Sequence, residues 1–168
     1  NTSKILDASY TFSSFLPLCE SIISKYYPKS TRVFAFDHII RASKQPKVLF
    51  GQPPLKTIHG DYTARSGITR TMQLLKPYLT TQELETVIYD RFVIVNIWYP
   101  LKTVFSDPIA VSEWSSIRPE DVITNRLYFS HRTGETYKVC HSSSQKWFYF
   151  PNLTPKEAIL LKTYDSID

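Results

Sequence analysis

The first clear pattern along the chain is helical. Four apolar side chains recur three or four residues apart: Phe15, Leu18, Ile22 and Tyr26. This spacing places them on one helix face, and Pro17 suits the first turn because that turn needs no donor from it. The sequence therefore predicts a surface helix with one buried stripe, which Pro28 ends. The more polar residues 1–11 predict an extended or frayed segment.

Two further helices are predicted between residues 64 and 90. The first carries apolar residues at helical spacing around a break near Pro77: Ile68, Met72, Leu75 and Leu79. The second begins at Thr80, because Thr80 and Glu83 form the T-x-x-E pattern in which each side chain can bond the other residue's backbone amide. It runs to about Asp90.

Most of the remaining apolar segments are rich in β-branched and aromatic residues, which is typical of strands. They cover residues 32–41, 91–101, 108–114, 146–151 and 158–164. Residues 127–130 and 135–141 predict a hairpin with Thr133 and Gly134 as its turn, and residues 43–54 predict a loop. Short strands after mostly early helices predict a mainly β fold with peripheral helices, a sandwich or open barrel, and not alternating βαβ units.

The composition fits a single domain over residues 1–168. At 42% hydrophobic, 168 residues can bury one substantial core. The formal charge of +5 comes from scattered lysines and arginines, which indicates a solvated surface and no nucleic-acid partner. We expect no membrane association, because no apolar run approaches the roughly 20 residues of a membrane span. Cys19 and Cys140 suggest neither a disulfide framework nor a zinc site, so a reducing, cytoplasmic location is the default.

The strongest candidate chemistry lies in residues 57–63, T-I-H-G-D-Y-T. Side chains alternate along an extended segment, so His59 and Asp61 point to the same side. One imidazole and one carboxylate are two of the three protein ligands of the two-histidine, one-carboxylate site, which leaves positions open on Fe(II). An exposed turn is the alternative explanation of this segment. In such a turn Gly60 would bend the chain and the Asp61 side chain would bond its own backbone.

Polar residues also interrupt the predicted strands. Asn96 lies in R-F-V-I-V-N-I-W-Y-P-L and must find partners or lose about 1 to 3 kcal/mol on desolvation. It therefore fixes a neighbouring loop or faces a polar cavity. Lys162 is the polar residue of the last predicted strand. We interpret Asp37 and His38 as structural, since a single histidine in an apolar strand is more often a hydrogen-bonded structural residue.

Five ordered blocks resemble a mostly fungal enzyme family. They are D-H-I-I-R at 37–41, I-H-G-D-Y-T at 58–63, the strand at 91–101, D-P-I-A-V at 107–111, and K-W-F-Y-F-P-N-L-T-P-K-E-A-I-L-L-K-T-Y-D-S at 146–166. Residues 10–166 resemble the AsaB-like hydroxylase/desaturase family, which includes the fungal gibberellin desaturase and is similar to the small component of cephalosporin 7α-methoxylase. The closing W-[FY]-Y-F-P-x-[LM]-T-P-x-E block is the most specific part.

The resemblance implies a double-stranded β-helix, or jelly-roll. It also implies an oxygenase that uses Fe(II), 2-oxoglutarate and O2 to hydroxylate or desaturate a small-molecule natural product. On that basis His59 and Asp61 match the first two iron ligands and carry catalysis. Asn96, Trp98 and Lys162 become candidates for binding the cosubstrate. Lys162 either pairs a 2-oxoglutarate carboxylate or extends from the strand edge into solvent.

The same resemblance suggests an aromatic substrate pocket, with Tyr99, Trp147 and Tyr149 as candidates, although core packing explains aromatic residues equally. The chain departs from the family at Trp98-Tyr99-Pro100, where family members show W-R-P. The family also continues past Y-D-S to a second histidine and an arginine that binds 2-oxoglutarate, and both would follow Asp168. None of the other histidines fits that position by sequence: His38, His131 and His141.

These departures leave two interpretations of the chain and three of its function. Either further residues exist in the full protein, or this is a shortened relative with a jelly-roll incomplete at its C-terminus. Sheet edges exposed in that way would be covered by a second copy or a partner chain. The intact H-x-D pair favours an oxygenase. The missing ligands favour a non-catalytic ligand-binding homologue or a partner-dependent enzyme.

Overall fold

A computed structural model describes residues 2–42, 51–130 and 132–167. Residues 43–50 of the predicted 43–54 loop and the placement of His131 lie outside the described residues, whereas residues 51–52 of that loop form a short strand. The chain divides into two compact units, Asn1–Pro54, Tyr99–Asp107 and Asn152–Glu157 in the first, and Leu55–Trp98, Pro108–Pro151 and Ala158–Asp168 in the second. The single-domain organisation stays a prediction.

The first unit begins with consecutive helical segments. They are a 3-10 helix at Thr2–Leu6, α1 at Ala8–Tyr10, a π-helix at Thr11–Phe15 and α2 at Leu16–Tyr26. The prediction of an extended or frayed start was wrong, because polar side chains cap and bury this segment. The carboxylate of Asp7 accepts from the backbone N–H of Tyr10 at 2.9 Å. The buried hydroxyl of Thr11 donates to the carbonyl of Ile5 at 2.8 Å.

Helix α2 confirms the predicted boundaries and only part of the predicted stripe. Pro17 lies in its first turn, and the helix ends at Tyr26, with the backbone N–H of Tyr27 bonded to the carbonyl of Ile23. Leu18 and Tyr26, expected on the buried face, are 55% and 69% exposed. Helical spacing fixes which side chains share a face, but tertiary contacts decide how much of that face is covered.

The predicted strand at residues 32–41 was mostly wrong. Strand pairing there is limited to β1 (Ile40–Arg41), which runs parallel to β2 (Gly51–Gln52). The backbone N–H of Ala35 donates to Oε1 of Glu20 on α2 at 2.8 Å. This side chain takes the place of a neighbouring strand for that N–H, because one acceptor is enough to satisfy a backbone donor. His38 packs edge-on against the Phe12 ring at 5.4 Å, which suits the structural interpretation.

The second unit contains helices and antiparallel sheets. Its regular elements are β3 (His59–Gly60), α3 (Ala64–Leu75), α4 (Thr81–Tyr89), β4 (Val93–Trp98), β5 (Ala110–Ser112), β6 (Val122–Tyr128), β7 (Thr133–Val139), β8 (Trp147–Tyr149) and β9 (Ile159–Asp165). Short 3-10 turns cover Trp114–Ser116 and Pro119–Asp121. The sheets are β3-β7-β6, β4-β9 and β5-β8. The predicted strands are therefore present, except at residues 32–41. Strands β4, β5 and β8 are shorter than predicted, β6 is longer and begins earlier, and β7 and β9 have the predicted length with shifted bounds.

Both helices of this unit begin at capping boxes. Thr80 caps α4 and exchanges bonds with Glu83, which confirms the T-x-x-E prediction. Thr63 caps α3 and does the same with Ser66, a pairing that sequence reasoning missed. Leu79, predicted within the first of these helices, lies beyond its end at Leu75.

The β6–β7 hairpin confirms the predicted pairing but not the predicted turn. Thr133 and Gly134 belong to β7, where they pair with Tyr128 and Leu127. The backbone N–H of Phe129 donates to the carbonyl of Arg132, so the turn of the hairpin lies before Thr133. Gly134 has no positive φ, so it does not supply the backbone conformation for which glycine is preferred in tight turns.

Candidate metal centre

Strand β3 brings the predicted pair together. His59 is paired with Lys138 and Gly60 with Tyr137 on β7, so this short segment is extended, and the chain bends at Asp61. Nε2 of His59 lies 3.4 Å from Oδ1 of Asp61, and both side chains are about one-third exposed, at 36% and 32%. The two side chains therefore share one side of the chain, as the alternation of an extended segment requires.

The ring of His59 is oriented by its own loop. Nδ1 lies 2.9 Å from the carbonyl oxygen of Thr57. A carbonyl only accepts hydrogen bonds, so Nδ1 carries the hydrogen and donates. In the neutral ring Nε2 then holds the lone pair on the side of Asp61. Metal-binding histidines commonly have this arrangement, in which a backbone carbonyl fixes the tautomer and orientation of the ring.

The carboxylate of Asp61 is oriented from a different sheet. Nδ2 of Asn96, in the middle of β4, donates to Oδ2 of Asp61 at 2.6 Å in a partly buried hydrogen bond. This bond agrees with the expectation that Asn96 fixes a neighbouring segment, and its assignment to the cosubstrate stays a prediction. Trp98 lies two residues further on and therefore on the same face of β4.

The helix that follows Asp61 is anchored at its first turn. Thr63 is buried, and its hydroxyl donates to Oε2 of Glu135 at 3.3 Å. The hydroxyl of Ser66 donates to the carbonyl of Glu135 at 2.7 Å. These bonds fix the start of α3 on β7, the strand that also pairs with His59. The T-x-x-S spacing of Thr63 and Ser66 was the signal that could have revealed this anchor.

The donor atoms fit a divalent metal with mixed nitrogen and oxygen ligands. Two donors each about 2.1 Å from one ion and about 90° apart lie about 3.0 Å from each other. The 3.4 Å between Nε2 of His59 and Oδ1 of Asp61 is close to that separation. Within residues 2–42, 51–130 and 132–167, no cluster of three His, Cys, Asp or Glu side chains completes a metal site. The described pair therefore fits two coordination positions.

Lys162 and Asn96, both candidates for binding the cosubstrate, do not lie on one face, and the assignment of Lys162 stays a prediction. In the β4–β9 ladder Lys162 is opposite Val95, whereas Asn96 is opposite Leu161. Paired residues share a face and neighbours alternate, so Lys162 and Asn96 are on opposite faces of this sheet. Nζ of Lys162 donates to Oδ2 of Asp165 at 3.0 Å.

The aromatic pocket stays a prediction. Trp147 and Tyr149, on β8, are 39% and 61% exposed, and neither borders a cavity found elsewhere in the second unit. That cavity has a volume of about 330 Å³ and a different set of lining residues: Trp114, Ile117, Pro119, Val122 and Tyr137. Tyr99 belongs to the first unit, where its hydroxyl donates to the carbonyl of Pro155 at 3.0 Å. Strand periodicity identified aromatic segments but not which aromatic side chains surround a cavity.

A second carboxylate of this unit, Asp165 at the end of β9, is bound by two positively charged side chains. Nε of Arg91 donates to it at 3.0 Å, and Lys162 binds the same group. The hydrogen bond from Arg91 is the main reason that the pKa of Asp165 lies well below its ordinary value. The side chain of Asp165 is 1% exposed. Asp165 is thus a structural ion-pair centre.

Comparison with known proteins places this geometry in a family. Residues 2–168 match the model of the oxidoreductase/YMDC permease-like domain. Hydroxylase/desaturase asaB of Aspergillus flavus is 35% identical over 108 residues, which cover 56% of this chain and 48% of that protein. The alpha-ketoglutarate-dependent dioxygenase tstK of Talaromyces stipitatus is 27% identical over 163 residues, which cover 86% and 57%. The chain therefore belongs to this oxidoreductase/YMDC permease-like family, and it is related to the AsaB-like hydroxylase/desaturases.

The fold agrees with a solved relative. The structure of the iron and alpha-ketoglutarate-dependent endoperoxidase NvfI superposes with a TM-score of 0.85 at 22% identity, over 98% of this chain and 60% of that one. This similarity confirms the predicted mainly β, cupin-like fold. The chain spans about half the length of the curated relatives it matches. In the ranges that the structure describes, none of the helices has the length and apolar character needed to cross a bilayer.

Proposed function

We propose that this protein acts as an Fe(II)/2-oxoglutarate-dependent oxygenase that hydroxylates or desaturates a small-molecule natural product. The observation that carries the proposal is the convergence of Nε2 of His59 and Oδ1 of Asp61 at 3.4 Å, with each group oriented by a separate hydrogen bond. The relatives named as hydroxylase/desaturase and as alpha-ketoglutarate-dependent dioxygenase support the same chemistry.

His59 and Asp61 would supply two protein ligands to the iron. When bound, iron with 2-oxoglutarate and O2 supplies the oxidising power that removes a substrate hydrogen while 2-oxoglutarate becomes succinate and CO2. The protein's contribution is to hold the imidazole as the Nδ1–H tautomer through Thr57 and to hold the carboxylate through Asn96. We propose that the third ligand and the partner of the 2-oxoglutarate carboxylate lie outside the described residues.

Succinate release tests this function. The protein is purified anaerobically, supplied with Fe(II), 2-oxoglutarate and O2, and compared with its Asp61→Ala variant. We expect Asp61→Ala to lower succinate release about 100-fold or more, since a first ligand is lost. Asp90→Ala removes an exposed carboxylate at the end of α4 and serves as the matched control with unchanged release. Equal succinate from wild type and Asp61→Ala would eliminate the oxygenase.

A non-catalytic ligand-binding role is the second candidate, favoured by the absence of a three-residue metal cluster among the described side chains. An Fe(II) complex chelated by 2-oxoglutarate absorbs visible light near roughly 500 nm. We expect that band in the anaerobic protein. Its absence at full iron loading, together with unchanged Asp61→Ala behaviour, would support the ligand-binding alternative.

We also propose that a second copy or a partner chain covers exposed apolar strand surface. The four consecutive aromatic residues at and after β8 are each exposed by more than a third: Trp147, Phe148, Tyr149 and Phe150. Exposed apolar patches of this kind commonly mark interaction surfaces. Light scattering coupled to size exclusion measures the oligomeric state directly. A cytoplasmic location stays a prediction.

A further inference from the structure

Asn96 occupies an unusual position for an amide. It is the single polar residue of β4, whose other members are Val93, Ile94, Val95, Ile97 and Trp98. A polar group in such a strand is destabilising unless it is hydrogen-bonded. Its amide donates to Oδ2 of Asp61 at 2.6 Å, and a carboxylate is a stronger acceptor than a neutral carbonyl.

We propose that Asn96 is a positioning residue that makes Asp61 a one-oxygen metal ligand, an inference that rests on the proposed function. The amide binds Oδ2, while Oδ1 lies toward Nε2 of His59. A carboxylate can rotate about its Cβ–Cγ bond and offer both oxygens to a cation. With Oδ2 bonded to Asn96, Asp61 takes one coordination position and leaves the others for a two-oxygen cosubstrate and O2.

The amide suits this task because it is neutral and rigidly held. An arginine or lysine would also orient Asp61, but its positive charge would oppose a cation at the same carboxylate. Asn96 is instead fixed by the β4–β9 ladder, opposite Leu161. His59 is fixed by the β3–β7 ladder. The Asn96–Asp61 bond therefore connects the two sheets at the metal ligands, so the ligand geometry depends on both.

Cobalt(II) binding by the protein tests this role without turnover, because the visible absorption of Co(II) changes with its coordination number. Asn96→Leu removes the donor at similar volume, and Asn96→Val removes it with a β-branched side chain that suits a strand. Asn125→Leu is the matched control, since Asn125 is a partly buried strand amide bonded to Thr136 in the β6–β7 hairpin. Circular dichroism and the thermal midpoint of the metal-free proteins show which variants are folded.

We expect Asn96→Leu and Asn96→Val to weaken Co(II) binding about 10- to 100-fold, as is usual when a group that orients a metal ligand is lost. The spectrum of the bound Co(II) should also change toward a higher coordination number, which a general loss of stability would not produce. Asn125→Leu should match wild type in affinity and spectrum. If Asn96→Leu fails to fold, Asn96→Val still decides the outcome.

Two results would overturn the proposal and they differ from each other. Wild-type protein that binds Co(II), with Asn96 variants of unchanged affinity and spectrum, would refute the positioning role and leave the oxygenase intact. Wild-type protein that binds neither Co(II) nor Fe(II) would refute the proposed function, and the role of Asn96 with it.

Discussion

Asp61 and Asp165 are carboxylates of the same unit with opposite surroundings. Asp165 is buried at the end of β9 and bound by the cations Arg91 and Lys162. Asp61 is one-third exposed and held by an amide, Asn96, beside the imidazole of His59. Burial with fixed cations makes a carboxylate a structural element, because its charge is balanced within the protein. Partial exposure with a neutral donor orients a carboxylate while its negative charge can still attract a metal ion.

The largest expected effect comes from the same substitution made at both sites. Asp61→Asn should weaken Co(II) binding by about 100-fold or more because a charged ligand oxygen is lost, with little change in the free energy of unfolding. Asp165→Asn should lower the free energy of unfolding by about 2 to 3 kcal/mol, because Arg91 and Lys162 lose their shared partner. Cobalt titration and urea unfolding of both variants measure the two quantities.

The comparison requires that metal affinity and the free energy of unfolding change independently at Asp61 and Asp165. Asp165→Asn, studied well below its unfolding transition, should bind Co(II) within about twofold of wild type, since Asp165 lies outside the metal pair. An equal loss of metal affinity in both variants would show that the two carboxylates act as one coupled network.

A substitution at Gly67 tests how closely α3 packs against Tyr164. Tyr164, which precedes Asp165, lies against α3, where a methyl group at Gly67 would overlap its ring. Glycine to alanine normally stabilises a helix by up to about 1 kcal/mol. Here we expect Gly67→Ala to lower the free energy of unfolding by about 1 to 3 kcal/mol through overpacking. Adding Tyr164→Leu should reduce that cost, and a Gly67→Ala variant as stable as wild type would contradict the close packing.

Acid should weaken the protein through Asp165. Arg91 lowers the pKa of Asp165 in the folded state, so the unfolded chain binds the proton more readily. The stabilising contribution is complete above the unfolded pKa of about 3.9 and decreases as the pH falls below it. Unfolding measured from neutral pH to about pH 3 should therefore show a stability gap between wild type and Asp165→Asn that narrows on acidification. A constant gap would contradict the ion-pair origin.

The smallest effect concerns a helix cap away from both carboxylates. Thr80→Ala removes the reciprocal bonds with Glu83 at the start of α4 and should cost about 1 kcal/mol. Cobalt affinity should stay at the wild-type value. Thr80→Ser retains the hydroxyl and should recover most of the stability, and failure to do so would exclude the cap as the cause.

The local features of this fold were predictable because the residues that interact are only a few positions apart in the sequence. Pro17 and Pro28 set the limits of α2, and Thr80 with Glu83 starts α4, as expected. The His59–Asp61 arrangement belongs to the same class, since two alternating positions decide it. The turn of the hairpin was misplaced because Gly134 was taken as a turn residue, although glycine also occurs within strands.

Contacts between residues that are distant in sequence could not be predicted. Lys162 and Asn96 were grouped as cosubstrate residues, but the β4–β9 register places them on opposite faces. The backbone of residues 32–41 was expected to pair as a strand, but the carboxylate of Glu20 takes one of its donors. The exposed aromatic residues of β8 and the cavity near Trp114 likewise depend on which strands become neighbours.

The sequence alone determined the limits of α2, the start of α4, the presence of many short strands, and that an imidazole and a carboxylate share one side of an extended segment. Each of these follows from backbone periodicity and from hydrogen bonds between near neighbours. Only the tertiary structure decided that Asn96 holds Asp61 and that Arg91 and Lys162 hold Asp165. Strand register brings those groups together, and register depends on the packing of whole strands, which no single residue encodes.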